Sequence, residues 1–448
     1  MNGTLRKFAG SVCLAWELFS FSPRETIAQD ISAPKPSPNT VAAESDQLTR
    51  PQVQRVTLNR LDIDPLGIKL IPCKCSPVIL CGGGEQLPKE VFDLAVRWAS
   101  KVESAFKGSE REKDFSVAVI TWASRDRDGC LEAARNRFGA EIAVGAVPSF
   151  DEIFLELAKR LEIRTESEGD SGNSLPVSVD QALIDDVCEA LNGSQKNEDA
   201  EQARKAVSDW VIEALDLSPV VFISGGSQVV LALMFRIFPE VQEYIQTQNR
   251  DGRVLVMGTS AGCAMLGADP VILGNDLGHA AAGSGLSESL VESLIDRERS
   301  SNLKCVVAKR GLGLSLVSLC VDQHHGGLSV DGIYFEDDGV TPLCAHRKNR
   351  TERFSDLMSA LGINEHSLPM AGGLAVWEGA ACVVTDAEDP FSPLVGYASA
   401  QGTGESPAPV AQFFAGGNND RNNTQVFPLY HRQVYCFPPP PPTQEPEQ

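Results

Sequence analysis

The chain has 448 residues, 42% of them hydrophobic, enough for one large α/β domain with insertions or for two domains, and this excludes disorder throughout. Its 39 Lys and Arg against 60 Asp and Glu leave a formal charge of −21, which argues against a nucleic-acid backbone as partner and suits a soluble protein or a cationic ligand, without identifying one. Beyond the N-terminus no stretch carries the roughly 18 uninterrupted apolar residues of a membrane span, so no membrane span is expected and the mature protein should be soluble.

Arg6 and Lys7 precede a largely apolar run from Phe8 to Phe21, and Thr26-Ile27-Ala28 follows. This is the layout of a secretory signal over residues 1–28, with Glu17 the residue that departs from it. Export to the periplasm or outside the cell is therefore expected, with a frayed amphipathic segment and a cytoplasmic location as the alternative. Residues 29–55 have the Pro, Ser and Thr content of a linker. A single folded domain is expected over 56–437, and Pro438 to Pro442 open an extended tail over 438–448.

The twelve cysteines are scattered. Cys73, Cys75 and Cys81 lack the partner histidines of a zinc frame and read as core or loop thiols. Cys263 reads as a small buried hydrophobe. In an exported chain some cysteines would pair as disulfides, with a connectivity that spacing does not reveal.

In the folded region apolar runs alternate with helical patterns. Val78 to Cys81 reads as a strand, Lys89 to Phe106 as a helix, Phe115 to Thr121 as a strand and Gly129 to Phe138 as a helix. This alternation predicts a mostly parallel sheet with crossover helices. Val91, Ala95, Trp98, Val102 and Ala105 recur at helical spacing and read as a core-facing stripe. Thr165 to Ser174 and Asn192 to Glu201 are polar and flank a helical Ser178 to Leu191, so this region reads as a surface insertion. Strand Val220 to Ser224 leads into Gly225-Gly226-Ser227-Gln228 and a helix to about Phe238.

Strand Val254 to Met257 ends in Gly258-Thr259-Ser260-Ala261-Gly262, followed by helix-compatible Cys263 to Leu266. A strand that ends in GxSxG and turns sharply into a helix is a nucleophile elbow, which makes Ser260 a candidate acyl-transfer nucleophile. Such a serine needs a base and a group to orient that base. A strand-like Leu316 to Val321 terminates in Asp322-Gln323-His324-His325, placing His324 where a further strand delivers side chains to the same sheet edge. His279, His346, His366 and His431 have no comparable setting. A helix over Arg353 to Leu361 is followed by Ile363-Asn364-Glu365-His366. Glu365 is the favoured orienting acid, with Asp269 and Asp276 as rivals. Residues 402–409 and 421–424 read as loops.

The set GTSAG, VDQHH and GINEHSL, with VILCGGGE and ISGGSQ before the serine, resembles the cyanophycinase and dipeptidase E family of serine peptidases over about Pro77 to Val384. That resemblance implies a three-layer α/β/α fold with a mostly parallel sheet, like class I glutamine amidotransferase domains and flavodoxin-like in outline. The order Ser260, His324, Glu365 also differs from the Ser, acid, His order of α/β-hydrolases.

The family further implies Ser260 as nucleophile, His324 as base and Glu365 as its orienting acid. The N–H groups of Gly226 and Ala261 would form the oxyanion hole, and no metal or organic cofactor would be needed. Gln228, Asp322 and Gln323 match the places that hold a β-aspartyl-arginine unit, with Asp322 suited to a bidentate pair with the substrate guanidinium. Lys348, Arg350 and Arg353 match basic residues for the substrate's carboxylates, against the plain reading of surface charges flanking a helix.

Three features depart from the family pattern: Ser227 stands in place of an acid, His325 in place of an aromatic, and a long insertion follows His324. They fall on substrate-contacting loops. The expected function is hydrolysis of cyanophycin to β-Asp-Arg dipeptides by a homodimer. The alternatives are an aspartyl dipeptidase of the same family and a non-catalytic binding protein on the same fold.

Overall fold

Short runs of β-branched and aliphatic residues form the strands, and amphipathic segments between them form the helices. The computed structural model describes residues 76–84, 86–106, 117–124, 126–163, 179–192, 198–216, 218–325, 344–361, 372–384, 394–398, 411–415, 425–429 and 434–435. The expected signal, linker and tail, the loops at 402–409 and 421–424, and Cys73 and Cys75 lie outside these residues.

In chain order the first elements are β1 (Val78–Cys81), α1 (Lys89–Phe106), β2 (Val117–Ile120), α2 (Arg127–Phe138), β3 (Val144–Ala146), α3 (Phe150–Arg160), α4 (Gln181–Asn192) and α5 (Glu198–Asp216). There follow β4 (Val220–Ile223), α6 (Gln228–Ile237), α7 (Pro239–Arg250), β5 (Leu255–Thr259), α8 (Ala261–Met265), β6 (Ile272–Gly274), α9 (Leu277–Ser284), α10 (Glu288–Ser293) and α11 (Arg297–Ser300). The last are β7 (Val306–Val307), β8 (Leu319–His325), α12 (Cys344–Ala360), β9 (Gly372–Trp377), β10 (Ala380–Val384), β11 (Leu394–Ala398), β12 (Ala411–Ala415), β13 (Gln425–Leu429) and β14 (Val434–Tyr435).

The main sheet has the order β14-β11-β10-β1-β5-β4-β2-β3. β1, β5, β4, β2 and β3 run parallel, and β10, β11 and β14 add an antiparallel flank beside β1. The alternation of the strands sends side chains to two separate cores. Val78, Leu80, Ile120, Val221, Ile223 and Val256 pack with residues of α3 to α8, whereas Ile79, Val119, Phe222, Leu255 and Met257 pack with α1 and α2. The protein is thus α/β, with a mostly parallel sheet covered by helices on both faces.

The predicted stripe on α1 packs in part as expected. Val91 and Ala95 are buried and Trp98 packs partly buried against the same core, while the side chains of Val102 and Ala105 lie outside the described residues. α2 begins earlier than predicted because the Asp126 side chain accepts the Gly129 N–H at 2.9 Å and caps the helix.

Two expectations are corrected. The polar stretch Asn192 to Glu201 is in part the start of α5, whose acidic first turn suits the helix N-terminus and whose buried Ala200, Ala203, Val207, Val211 and Leu215 repeat every three or four residues. The strand expected over Leu316 to Val321 begins at Leu319 and continues through the histidines. It also belongs to a second sheet, β13-β12-β9-β8, in which β8 and β9 run parallel. Cys320 and Ala375 of that sheet share a small core with Phe354, Leu357 and Met358 of α12.

Candidate active site

Ser260 follows the last residue of β5, a central strand, with φ 52° and ψ −119°. A non-glycine residue at positive φ is strained, and here the strain turns the side chain out of the strand just as α8 begins. The elbow closes because its two glycines have no side chains. A Cβ on Gly258 would stand 2.4 Å from the Gly262 carbonyl oxygen, and one on Gly262 2.3 Å from that of Ile223. The Ser260 N–H donates to the Cys81 carbonyl at 3.0 Å, which ties the elbow to β1.

His324 arrives from the other sheet. Its N–H donates to the Gly82 carbonyl at 2.9 Å, just past the end of β1, and its backbone also has positive φ, 57°. Ser260 Oγ and His324 Nε2 are 2.7 Å apart, and both residues are half-buried. Glycines pack against both partners. A Cβ on Gly225 would lie 2.9 Å from the Ser260 Cβ, and one on Gly83 would lie 2.3 Å from His324 Cε1. The pair therefore sits among the C-terminal ends of β1, β4 and β5, where open parallel sheets gather ligands.

Five of the other residues singled out in the sequence lie on the turns and strand next to this pair. Gly226, with φ 138°, lies in the turn after β4 against the Ala123 carbonyl, and Ala261 is the first residue of α8. Gln228 opens α6 half-buried, and Gln323 is buried; the Gln228 Nε2 and Gln323 Oε1 atoms are both buried without a hydrogen-bond partner. Ser227, at the position of the expected acid, caps α6 by accepting the Val230 N–H at 3.4 Å. These residues flank the Ser260–His324 pair on the adjoining turn and strand.

Asp322 and Arg353 require correction. Asp322 is fully buried, and both its oxygens lie 3.3 Å from Arg353 Nη2, while Oδ2 also accepts from His325 Nε2 at 2.9 Å. Its guanidinium partner is thus the protein's own, and no face of the carboxylate is left toward solvent for a substrate. Arg353, 5% exposed, donates in addition to Asn275 Oδ1 at 2.9 Å, so it is a core residue rather than a receiver of substrate carboxylates. The cause is the placement of Arg353 on a helix, α12, that packs its Arg353 and Phe354 side against β8. Arg350, half-buried, donates to the Gln323 carbonyl at 3.1 Å. The side chain of Lys348 lies outside the described residues.

Burial opposes ionisation of Asp322, but the Arg353 guanidinium, followed by the His325 hydrogen bond and charge, outweighs it and holds the carboxyl well below its ordinary range. Burial pushes the Cys81 thiol up to about 12 and Cys263 well above its ordinary value, so these neighbours of Ser260 stay protonated.

Neither rival acid points to the imidazole. Asp269 accepts from the Gly311 and Gly313 N–H groups, and Asp276 caps α9 through the His279 N–H at 2.7 Å. Glu365 lies outside the described residues. Among those residues no group of three His, Cys, Asp or Glu side chains is arranged to hold a metal ion, and no helix is long and apolar enough to cross a membrane.

Sequence reasoning passed over two contributors: the Gly82-Gly83 turn beneath His324, and His325 as a buried hydrogen-bonding residue. The first had a visible signal in the three glycines that follow β1. The second had none, because a histidine beside a candidate base carries no mark of the side to which it points.

No family model matches the chain. Cyanophycinases from Trichormus variabilis and from a Nostoc species are each 31% identical to it over 134 residues, 30% of this chain. That stretch spans 37% of the length of these curated relatives. A solved structure of a peptidase from an acI-B1 Actinobacterium aligns over 81% of this chain and 97% of its own, at 13% identity and a TM-score of 0.39. The sequence likeness is therefore a partial one, to cyanophycinases, over less than a third of the chain.

Proposed function

We propose that the protein is a serine-type peptidase in which Ser260 is the nucleophile and His324 its general base. The observation that carries this reading is the 2.7 Å contact between Ser260 Oγ and His324 Nε2, made by a serine held at positive φ where a central strand turns into a helix. In the reaction, Oγ bonds to the substrate carbonyl carbon as its proton passes to Nε2. The N–H groups of Gly226 and Ala261 receive the resulting oxyanion. The carbon–nitrogen bond then breaks as Nε2 returns the proton to the leaving amine, and water, deprotonated by the same nitrogen, releases the acyl group. Glu365 is the acid proposed to orient the imidazole.

The substrate class proposed is cyanophycin, cleaved at β-aspartyl-arginine linkages to release β-Asp-Arg, on a fold of the class I glutamine amidotransferase type. The partial likeness to cyanophycinases supports it, as do Gln228 Nε2 and Gln323 Oε1, buried without a hydrogen-bond partner at the start of α6 and on β8. Lys348 and Arg350 are the cations proposed to meet the substrate carboxylates. A second reading, an aspartyl dipeptidase, is favoured by one observation: with Asp322 saturated inside the protein, the expected anchor for a substrate guanidinium is missing.

The test is release of β-Asp-Arg from purified cyanophycin by the wild-type chain and by Ser260→Ala, with α- and β-aspartyl dipeptides as parallel substrates. Release that disappears in the variant is expected. Hydrolysis of the dipeptides alone would transfer the assignment to the second reading, and no serine-dependent hydrolysis of either would overturn both.

A further inference from the structure

We propose that Asp322, His325 and Arg353 are positioning residues that together hold His324 in reach of Ser260, an inference that rests on the reading of those two as base and nucleophile. The need for such a device lies in the backbone of β8. The strand pairs in register with β9 from Leu319 opposite Gly372 to Asp322 opposite Ala375, and the next pair is His325 opposite Trp377. β8 thus carries one more residue than β9 across this interval. Such a bulge re-aims a side chain, and His324 within it has the positive φ that sends its imidazole out of its own sheet toward β5. A non-glycine residue remains in that conformation only where its surroundings determine it.

Those surroundings span the bulge. Asp322 and His325, on either side of it, are bonded to each other at 2.9 Å with both side chains fully buried. Arg353 holds Asp322 by both oxygens and is itself held by Asn275. The Phe354 ring stands edge-on to His325 with centroids 5.6 Å apart. The backbone is pinned as well: Arg350 donates to the Gln323 carbonyl, and the Glu378 N–H donates to the His325 carbonyl at 3.2 Å. A buried ion pair is often no more stable than apolar residues of the same volume. Its value at this place is directional, because Arg353, held by Asn275 at Nη1, sets Asp322 through Nη2, Asp322 sets His325, and the two residues around the bulge leave His324 one course.

The test uses the full chain and an alkyl fluorophosphonate, which bonds to an activated serine, and follows the maximal labelling rate, the half-saturating concentration and the final labelled fraction. Ser260→Ala serves as the blank. His325→Phe keeps the ring against Phe354 and leaves the Asp322–Arg353 pair intact. Asp322→Leu combined with Arg353→Met removes both charges and so leaves neither uncompensated. Each is expected to lower the maximal rate by about 10- to 100-fold, with the half-saturating concentration and the labelled fraction unchanged. Rates equal to wild type in both variants would overturn the proposal. So would a smaller labelled fraction reacting at the wild-type rate, which is the mark of a purely structural role. Failure of the wild type to label at Ser260 would instead bring down the reading of Ser260 as nucleophile, and the positioning role with it.

Discussion

The His324 imidazole reaches Ser260 across Gly83, which has φ 102° and no room for a side chain. Gly83→Ala places a methyl group 2.3 Å from His324 Cε1 and adds the strain of an L-residue at positive φ. It is expected to displace the candidate base and to lower the proposed Ser260-dependent hydrolysis by about 100-fold with the circular dichroism unchanged. Hydrolysis near the wild-type rate would show that the ring has slack. At Asp322 the consequence is one of stability. Its folded value lies below its unfolded one, so the stabilisation it contributes is complete above about pH 4 and is lost as the pH falls from there toward the folded value. Between about pH 7 and about pH 3 the melting temperature of the wild type should therefore fall further than that of Asp322→Leu/Arg353→Met, and equal falls would remove the pair from the account. Arg353→Met alone leaves Asp322 buried without its guanidinium, and should cost roughly 3–5 kcal/mol in urea unfolding. Chemistry of this kind was only partly legible. GxSxG marked the candidate nucleophile because a strained turn needs small residues around it. Asp322 and Arg353 were misplaced because residue type shows a charge and says nothing of whether its partner is inside or outside the protein.

Elements whose residues alone determine them agreed best with the structure. The limits of β1 and α1 match the pattern because Val78 to Cys81 are all β-favouring or apolar, and α1 buries Val91, Phe92, Leu94, Ala95 and Ala99. Helix α3 was equally legible in principle: Ser149 and Glu152 form a reciprocal capping box, with the Ser149 N–H donating to Glu152 Oε2 at 2.7 Å and the Glu152 N–H to Ser149 Oγ at 3.3 Å. Ser149→Ala should cost about 1 kcal/mol in chemical denaturation, and no measurable loss would mean that packing of Phe150 and Phe154 holds the helix by itself. The strands after α12 had no such local mark. β9 and β10 are rich in Gly and Ala, weak strand formers on their own. They are strands because of what they pair with: β10 lies antiparallel to β1, and β9 lies between β8 and β12. The corner between them brings the Gly379 N–H to the Gly83 carbonyl at 2.9 Å, so an element invisible in the local pattern closes the turn beneath the candidate base.

At the scale of the molecule, one sheet separates two apolar cores, and the candidate site sits at the strand ends they share. The smaller core is organised by three rings: Phe92 of α1 lies edge-on to Phe138 of α2 at 5.2 Å and to Phe222 of β4 at 6.4 Å, and Phe138 lies edge-on to Phe222 at 5.6 Å. The larger core holds Trp122, which donates to the Pro148 carbonyl at 2.9 Å and stands edge-on to Phe235 of α6. The alternation of each strand ties the cores together: Phe222 enters one and its neighbours Val221 and Ile223 the other, all three almost completely buried. A strand cannot lose one face and keep the other ordered, because its backbone hydrogen bonds serve both. Phe92→Ala should therefore cost about 3–5 kcal/mol, and its effect should not stop at the α1–α2 layer. The transition followed by far-ultraviolet circular dichroism, which reports all helices, and that followed in the near ultraviolet, to which Trp98 and Trp122 on opposite faces both contribute, should move to lower urea together. Midpoints that separate in the variant would show that the α1–α2 layer can leave while the other core survives, and that the parallel sheet, rather than coupling the layers, is held by α3 to α8 alone.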